Sequence, residues 1–239
     1  MPFATNLDFP VFITTGTEIH LNYGLITVAV AEYLTTACAL ICAICLYRLP
    51  IKVTNPKPVV SILIIGMTAL TTGLQFFFPE FLSEFRRNLA ALRAGEWWRL
   101  VTPLFVQAYG WGQCVGNGIA AFFLLPLAEK FYRKKLFALY IGPGILGEIF
   151  FYTLEPNTTG AGSSLAIYGV LGGLFVFVCR DRHIFPPSMT VFAVAGLCSG
   201  IVESFFHDFH GTSMLAGALL ASMMSPRLQT IPKRPPKQK

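Results

Sequence analysis

Seven apolar runs separated by short charged segments constrain the fold of this 239-residue chain more than any other feature. A helix needs about 20 apolar residues to cross a bilayer, and several of these runs reach that length. Only 13% of the residues are charged, whereas soluble domains carry about 25%. The sequence therefore predicts an all-α polytopic membrane protein with seven spans. The runs cover about 21–47, 58–78, 112–128, 136–154, 162–179, 186–206 and 211–225.

Neither the cysteines nor the net charge points to a metal site or to nucleic acid. All six cysteines fall within apolar runs, where they are typical of small buried hydrophobic side chains. Cys38, Cys42 and Cys45 share one helical face, but no His or carboxylate accompanies them there. The net charge of +6 follows a membrane pattern. We therefore expect no metal, no cofactor and no nucleic-acid partner.

The basic residues predict the orientation in the membrane. The segments after runs one, three and five, together with the tail, hold 14 of the 18 Lys and Arg residues. Because basic residues are enriched on the cytosolic side of a membrane, we expect the N-terminus outside and the C-terminus in the cytosol. The tail, residues 226–239, is basic and rich in proline, so we expect it to be disordered.

Two serines stand where a polar loop meets a glycine-rich apolar run. Ser163 and Ser164 precede Gly169 and Gly173, which form a small-xxx-small face suited to close helix packing. Tyr168 lies one turn after Ser164, on the same side of the predicted helix. A serine in this place either caps the helix or acts as a nucleophile.

A serine nucleophile needs a base and donors for the oxyanion, and the predicted topology supplies candidates for both. His210 begins the last run on the same outer side as Ser164, and small residues follow it three and seven positions later. Asn117 and Gln113, one turn apart in the third run, are candidate oxyanion donors. We assign no role to Asp208, because a carboxylate two residues from a histidine points elsewhere on a helix.

Taken in chain order, these residues resemble the rhomboid family of intramembrane serine proteases. The resemblance covers about residues 58–225 and implies a six-helix core. The glycine pattern after Ser164 resembles the family's nucleophile motif, and His210 resembles its last-helix histidine. Further matches are Trp98-Arg99 with Thr102 in the long loop, Asn117 in the third run, Glu129-Lys130 at its end, and Leu139-Tyr140 followed by the glycines within 142–147.

The register of the glycine pattern distinguishes between the two serines. With Ser164 as the nucleophile, the residues two, five and eight positions later are Ala, Gly and Gly, as the family requires; with Ser163 they are Leu, Tyr and Leu. Ser163 is then predicted to be the helix cap. Tyr168 matches an aromatic position that packs on the catalytic histidine in the family. Two positions depart from the pattern, since Leu165 replaces a glycine and Gln113 replaces a histidine.

The resemblance implies a serine endopeptidase that uses Ser164 and His210 as a dyad, with Asn117, Gln113 and Tyr168 in support. Its expected partners are the lipid bilayer and transmembrane protein substrates, which it would cut near the outer leaflet. The chain would then comprise an N-terminal segment (1–57) with an extra transmembrane helix and a basic cytosolic loop, the rhomboid-like core (58–225) and the tail (226–239).

Two other functions stay open at this point. A pseudoprotease of the same fold would bind transmembrane clients without cutting them, and the departures at Leu165 and Gln113 favour it. A transporter would use His210, Asp208 and Glu203 as a polar path. Transporters of this kind commonly contain an internal repeat of their spans, and the sequence contains none that is evident.

Overall fold

The computed structural model describes residues 14–15, 18–19, 23–48 and 57–224. The predicted tail, most of the residues before the first helix and most of the basic loop after it lie outside the described residues. Two short strands, β1 (Thr14–Thr15) and β2 (Glu18–Ile19), pair antiparallel. The described helices are α1 (Tyr23–Arg48), α2 (Val59–Phe77), α3 (Pro79–Phe85), α4 (Leu89–Arg93), α5 (Gly110–Tyr132), α6 (Lys135–Leu154), α7 (Ser164–Arg180), α8 (Pro187–Phe205) and α9 (Phe209–Met223), with 3₁₀ turns at Trp97–Leu100 and Thr102–Leu104.

Each of the seven predicted apolar runs forms one long helix. Among the described residues, α1, α2, α5, α6 and α8 are long and apolar enough to cross a bilayer. The remaining two are shorter, with 17 residues in α7 and 15 in α9, whereas a straight span needs about 20. The prediction of a polytopic helical protein is therefore confirmed, while the count of seven complete spans stays a prediction.

The central helix of the bundle is α7, which packs against α5, α6, α8 and α9. Twelve of its 17 residues are buried. The backbones of α7 and α9 touch, because a Cβ atom on Gly217 would overlap the Gly169 carbonyl and one on Gly172 would overlap the Met214 carbonyl. Glycine at these positions therefore sets the distance between the two helices.

The extra N-terminal helix, α1, packs along α8. A polar contact joins the two helices within this apolar surface. The Thr35 hydroxyl donates to Glu203 Oε1 at 2.6 Å and lies 2.5 Å from Ser199 Oγ. All three side chains are buried. The buried face of α1 follows helical spacing and comprises Ala31, Thr35, Cys38, Ala39, Cys42, Ala43 and Leu46.

The long connection between α2 and α5 is held together by Arg99, which is 4% exposed. Its Nη1 donates to the carbonyl oxygens of Ser83 at 2.9 Å and Arg86 at 2.7 Å. Its Nε donates to Glu96 Oε2 at 2.7 Å. Trp98 beside it is about half exposed, as an aromatic residue at a membrane interface would be. Arg99 therefore ties α3, the turn after it and the first 3₁₀ turn into one unit.

A second arginine, Arg87, fixes the same connection to the helical core. Its Nε and Nη2 donate to the two carboxylate oxygens of Glu148 on α6, at 2.6 and 2.8 Å. The guanidinium also stacks 3.5 Å from the centre of the Phe151 ring. The Arg87 backbone N–H donates to the Gly160 carbonyl at 2.7 Å. Because Gly160 lies just before α7, this pair helps to position the start of that helix.

Breaking the Arg87–Glu148 pair is expected to destabilise the protein strongly. Glu148→Ala leaves a buried guanidinium without its counter-charge, so the free energy of unfolding should fall by about 3–5 kcal/mol. The double variant Arg87→Met/Glu148→Leu should recover much of this loss, because it removes both charges. Thermal unfolding in detergent micelles measures the effect, with Arg93→Ala as a control at an exposed arginine. A loss below about 1 kcal/mol for Glu148→Ala, typical of exposed pairs, would contradict the prediction.

Candidate active site

The structure brings Ser164 and His210 together from two different helices. Ser164 is the first residue of α7, and His210 is the second residue of α9. His210 Nε2 lies 2.9 Å from Ser164 Oγ, which is a hydrogen-bond distance. The close contact of Gly169 with Gly217 holds the beginnings of the two helices side by side. The pair has the geometry of a nucleophile and its base.

The neighbouring serine, Ser163, points away from His210. It holds the predicted N-cap position of α7, although its side chain makes no capping bond there. Its Oγ instead accepts a hydrogen bond from Gln107 Nε2 at 3.1 Å, and the residue is 2% exposed. The structure therefore separates the two serines as the glycine register predicts, with Ser164 beside the histidine.

Tyr168 packs against the histidine ring. Its ring centre lies 4.8 Å from that of His210, with the two planes tilted by 44°. This distance is in the range of aromatic contacts that stabilise the relative orientation of two rings. Tyr168 therefore lies where the sequence places it, one turn after Ser164 and against His210.

The two predicted oxyanion donors are engaged in hydrogen bonds with other groups. Gln113 Nε2 donates to the Ala161 carbonyl at 3.0 Å, and its Oε1 accepts from the Tyr109 backbone N–H at 2.9 Å. Asn117 Nδ2 donates to Gln107 Oε1 at 2.8 Å. Gln113 lines the same cavity as Ser164, whereas Asn117 is not among the described residues that line it. The structure thus brings Gln113, but not Asn117, to the wall of the site.

Ser164 and His210 open into a cavity of about 600 Å³. Leu165, which replaces the glycine of the family pattern, is 3% exposed and forms part of the wall. The first turns of α1 contribute to this cavity as well, a role that the sequence did not predict. The lining residues include Gly24, Leu25 and Val28 from α1, Tyr109 and Gln113 near the start of α5, Gly162, Ser164 and Leu165, and Phe206 to His210.

The prediction that the Asp208 side chain points away from His210 was wrong. Asp208 precedes α9 as its N-cap and has extended backbone angles, so helical spacing does not apply to it. Its Oδ1 accepts from the His210 backbone N–H at 2.8 Å and lies 2.8 Å from His210 Nδ1. Aspartate is a preferred N-cap residue, and that preference was the available signal in the sequence.

Asp208 remains ionised in this environment. Burial alone would raise the pKa of its carboxyl group, but the hydrogen bonds and the charge of His210 outweigh burial and lower that pKa to about 2. Asp208 therefore carries a negative charge beside the imidazole ring at any pH above about 4.

A third polar group, Glu32 of α1, lies next to Asp208 and His210. Its Oε1 is 3.8 Å from His210 Nδ1. The ligand-type atoms of these three residues lie within 4.8 Å of one another, a spacing that a metal ion could bridge. His210 Nδ1 and Asp208 Oδ1 are already bonded to each other, however. The atoms that would bind a metal ion are therefore already used between His210 and Asp208.

Comparison with known proteins agrees with the fold and the motifs. Residues 94–227 match the sequence model of the Rhomboid domain. The YdcA protein of Bacillus subtilis, whose name places it among rhomboid proteases, is 34% identical over 134 residues, which cover 53% of this chain and 67% of that protein.

Other relatives match this chain over smaller parts of their own length. Rhomboid protease GluP of Bacillus subtilis is 35% identical over 92 residues, which cover 38% of this chain and 18% of GluP. Rhomboid-like protease 3 of Toxoplasma gondii is 24% identical over 144 residues, which cover 57% of this chain and 55% of that protein. The resemblance inferred from the motifs is confirmed: the chain belongs to the rhomboid family of multi-pass membrane proteins.

Proposed function

We propose that this protein is an intramembrane serine endopeptidase in which Ser164 is the nucleophile and His210 the general base. The observation that carries the proposal is the 2.9 Å hydrogen bond between His210 Nε2 and Ser164 Oγ, at the wall of an open cavity. The relatives from Bacillus subtilis and Toxoplasma gondii are named proteases, which supports the same class of reaction.

The proposed reaction follows the logic of serine–histidine catalysis. His210 Nε2 takes the proton of the Ser164 hydroxyl as the oxygen attacks a peptide carbonyl of the substrate. The tetrahedral intermediate collapses to an acyl-enzyme when His210 gives that proton to the leaving amine. A water molecule entering through the cavity then hydrolyses the ester, with His210 again as the base. Tyr168 keeps the imidazole ring in place through these steps.

The oxyanion would be stabilised at the start of α7. The first N–H groups of a helix have no partner within the helix, so the Ser164 N–H can donate to the oxyanion. Gln113 is the next proposed donor. Its Nε2 and Ser164 Oγ lie near the same point, since a Cβ atom added to Gly162 would overlap Nε2 and would lie 3.5 Å from Oγ. To do so, the side-chain amide of Gln113 would give up its hydrogen bond to the Ala161 carbonyl and donate to the oxyanion instead. Asn117, one turn farther along α5, would have to release Gln107 Oε1 and turn toward the site before it could donate as well.

The proposed substrates are transmembrane segments of other membrane proteins, cut near the outer leaflet. The concentration of basic residues in alternate segments and in the tail supports an orientation with the N-terminus outside and the C-terminus in the cytosol. In this orientation the start of α7 and the start of α9 lie on the outer side. A substrate segment that unwinds there can present its backbone to Ser164.

Two measurements on the purified full chain test this proposal. In proteoliposomes, the protein should cleave at least one member of a set of single-span reporters. A fluorophosphonate probe should form an adduct that mass spectrometry assigns to Ser164, and heat-denatured protein should form none. If Ser164 gives no adduct and every reporter stays intact across several lipid compositions, the protein is a client-binding rhomboid without protease activity.

A further inference from the structure

The ring nitrogen of His210 that faces away from Ser164 is held by the turn before α9. His207 adopts a φ of 63°, and this left-handed conformation reverses the chain between α8 and α9. Asp208 follows as the N-cap, and its Oδ1 contacts both the backbone nitrogen and Nδ1 of His210 at 2.8 Å. One carboxylate oxygen therefore fixes the backbone and the ring of the proposed base.

Glu32 of α1 lies beside the same carboxylate, since oxygen atoms of the two side chains lie within 4.8 Å of each other and Glu32 Oε1 is 3.8 Å from His210 Nδ1. An ionised carboxylate can only accept a hydrogen bond, so a bond between two carboxyl groups requires one proton. Asp208 is the ionised member, because its pKa is lowered to about 2. Glu32 is therefore the carboxyl group that can carry the proton and donate to Asp208 from the side of α1.

Helix α1 is itself held against the core near Glu32. Thr35 lies three residues after Glu32, on the same face of α1. Its hydrogen bonds to Glu203 and Ser199 fix that face to α8. Thr35 and Glu32 thus lie on one face of α1, with Thr35 bonded to α8 and Glu32 beside Asp208 and His210.

We infer that Asp208 is a positioning residue that orients His210, and that Glu32 of α1 fixes Asp208 in turn. This inference rests on the proposed chemistry of Ser164 and His210. A proton on Nδ1 that is donated to Asp208 leaves the lone pair of Nε2 facing the serine. The negative charge also stabilises the imidazolium that forms when His210 takes the serine proton. The extra helix then belongs to the catalytic assembly and is more than an anchor.

The variant Asp208→Asn tests the first step of this inference. Asparagine has the same size and is an equally good N-cap, so α9 should keep its start. We expect kcat for reporter cleavage to fall by about 10²-fold while KM changes by less than about twofold, since the change acts on the base and not on substrate binding. Glu80→Gln, which removes one exposed negative charge from α3, is the matched control and should leave both constants unchanged.

Glu32 is tested by a pair of substitutions. In Glu32→Gln the amide can still donate to Asp208, so kcat should stay within about twofold of the wild-type value. In Glu32→Leu the donor is lost, and we expect kcat to fall about tenfold, in the range seen when an outer-shell partner is removed. If both variants behave alike, Glu32 acts through charge or packing and does not position Asp208.

The tautomer of His210 provides a readout that does not depend on activity. In protein with ¹⁵N-labelled histidine, the ring nitrogens of His210, assigned by their loss in His210→Gln, should show a protonated Nδ1 and an unprotonated Nε2. Asp208→Asn should shift this balance. An unchanged tautomer, or a kcat within twofold of wild type in Asp208→Asn, overturns the inference. If the wild type cleaves nothing, the proposed function fails, and the tautomer alone decides whether Asp208 positions the ring.

Discussion

Ser164→Ala is expected to lower reporter cleavage at least about 10³-fold, whereas Ser163→Ala should keep kcat within about threefold. The two residues are adjacent and chemically identical, so each is a matched control for the other. The difference follows from geometry, because the Ser164 hydroxyl contacts His210 and the Ser163 hydroxyl contacts Gln107. Steady-state cleavage in proteoliposomes, normalised to folded protein, measures both variants.

Ser163→Ala should lower the stability of the protein and leave the catalytic rate nearly unchanged. It leaves Gln107 Nε2 without its partner inside the protein, which costs about 1–3 kcal/mol when a buried donor is left unsatisfied. A lower unfolding temperature with nearly normal kcat is therefore the expected combination. If Ser163→Ala abolishes cleavage in folded protein while Ser164→Ala does not, the assignment of the nucleophile is wrong.

The glycine pattern made this distinction predictable from the sequence. Residues two, five and eight positions after Ser164 must be small, because that face of α7 meets α6 and α9 at backbone distance. Gly169 meets Pro143 of α6, and Gly172 meets the Met214 carbonyl of α9. A register that starts from Ser163 would place larger side chains at these contacts. The glycine register therefore favours the same serine that the structure places beside His210.

The role of Asp208 could not be recognised from helical spacing. The last apolar run in the sequence begins at about 211, while α9 begins at Phe209. A boundary that differs by two residues is ordinary for a helix end, but here it decides whether Asp208 lies in the loop or is the N-cap of α9. A cap can fold its side chain back toward the residue two positions later, and Asp208 does so with His210.

The position of α1 against the rest of the protein could not be predicted from the sequence either. In a membrane protein the lipid-facing and protein-facing sides of a helix are both apolar, so composition does not reveal which side is buried. The polar residues Glu32 and Thr35 were the available signal, since ionisable groups within a span usually face the protein interior. The sequence does not show, however, which residues Glu32 and Thr35 contact. Only the three-dimensional arrangement places them against Asp208 and Glu203.

Gly217→Ala is expected to impair both folding and catalysis. A Cβ at this position would overlap the Gly169 backbone, which cannot move aside as a flexible side chain would. The free energy of unfolding should fall by about 3 kcal/mol, the upper part of the range for overpacked cores. Gly66→Ala on α2 is the control, because its Cβ meets nothing within 4 Å and alanine favours a helix by about 1 kcal/mol over glycine.

In the fraction of Gly217→Ala protein that still folds, we expect Ser164 and His210 to be displaced from each other. Gly217 lies two turns after His210, so a displacement of α9 at this contact moves the start of the helix relative to α7. A misplacement of about 1 Å between reacting groups can cost about 10²-fold in rate. We therefore expect folded Gly217→Ala to react with a fluorophosphonate at least tenfold more slowly than Gly66→Ala. Equal labelling rates would show that the glycine contact between α7 and α9 does not set the distance between Ser164 and His210.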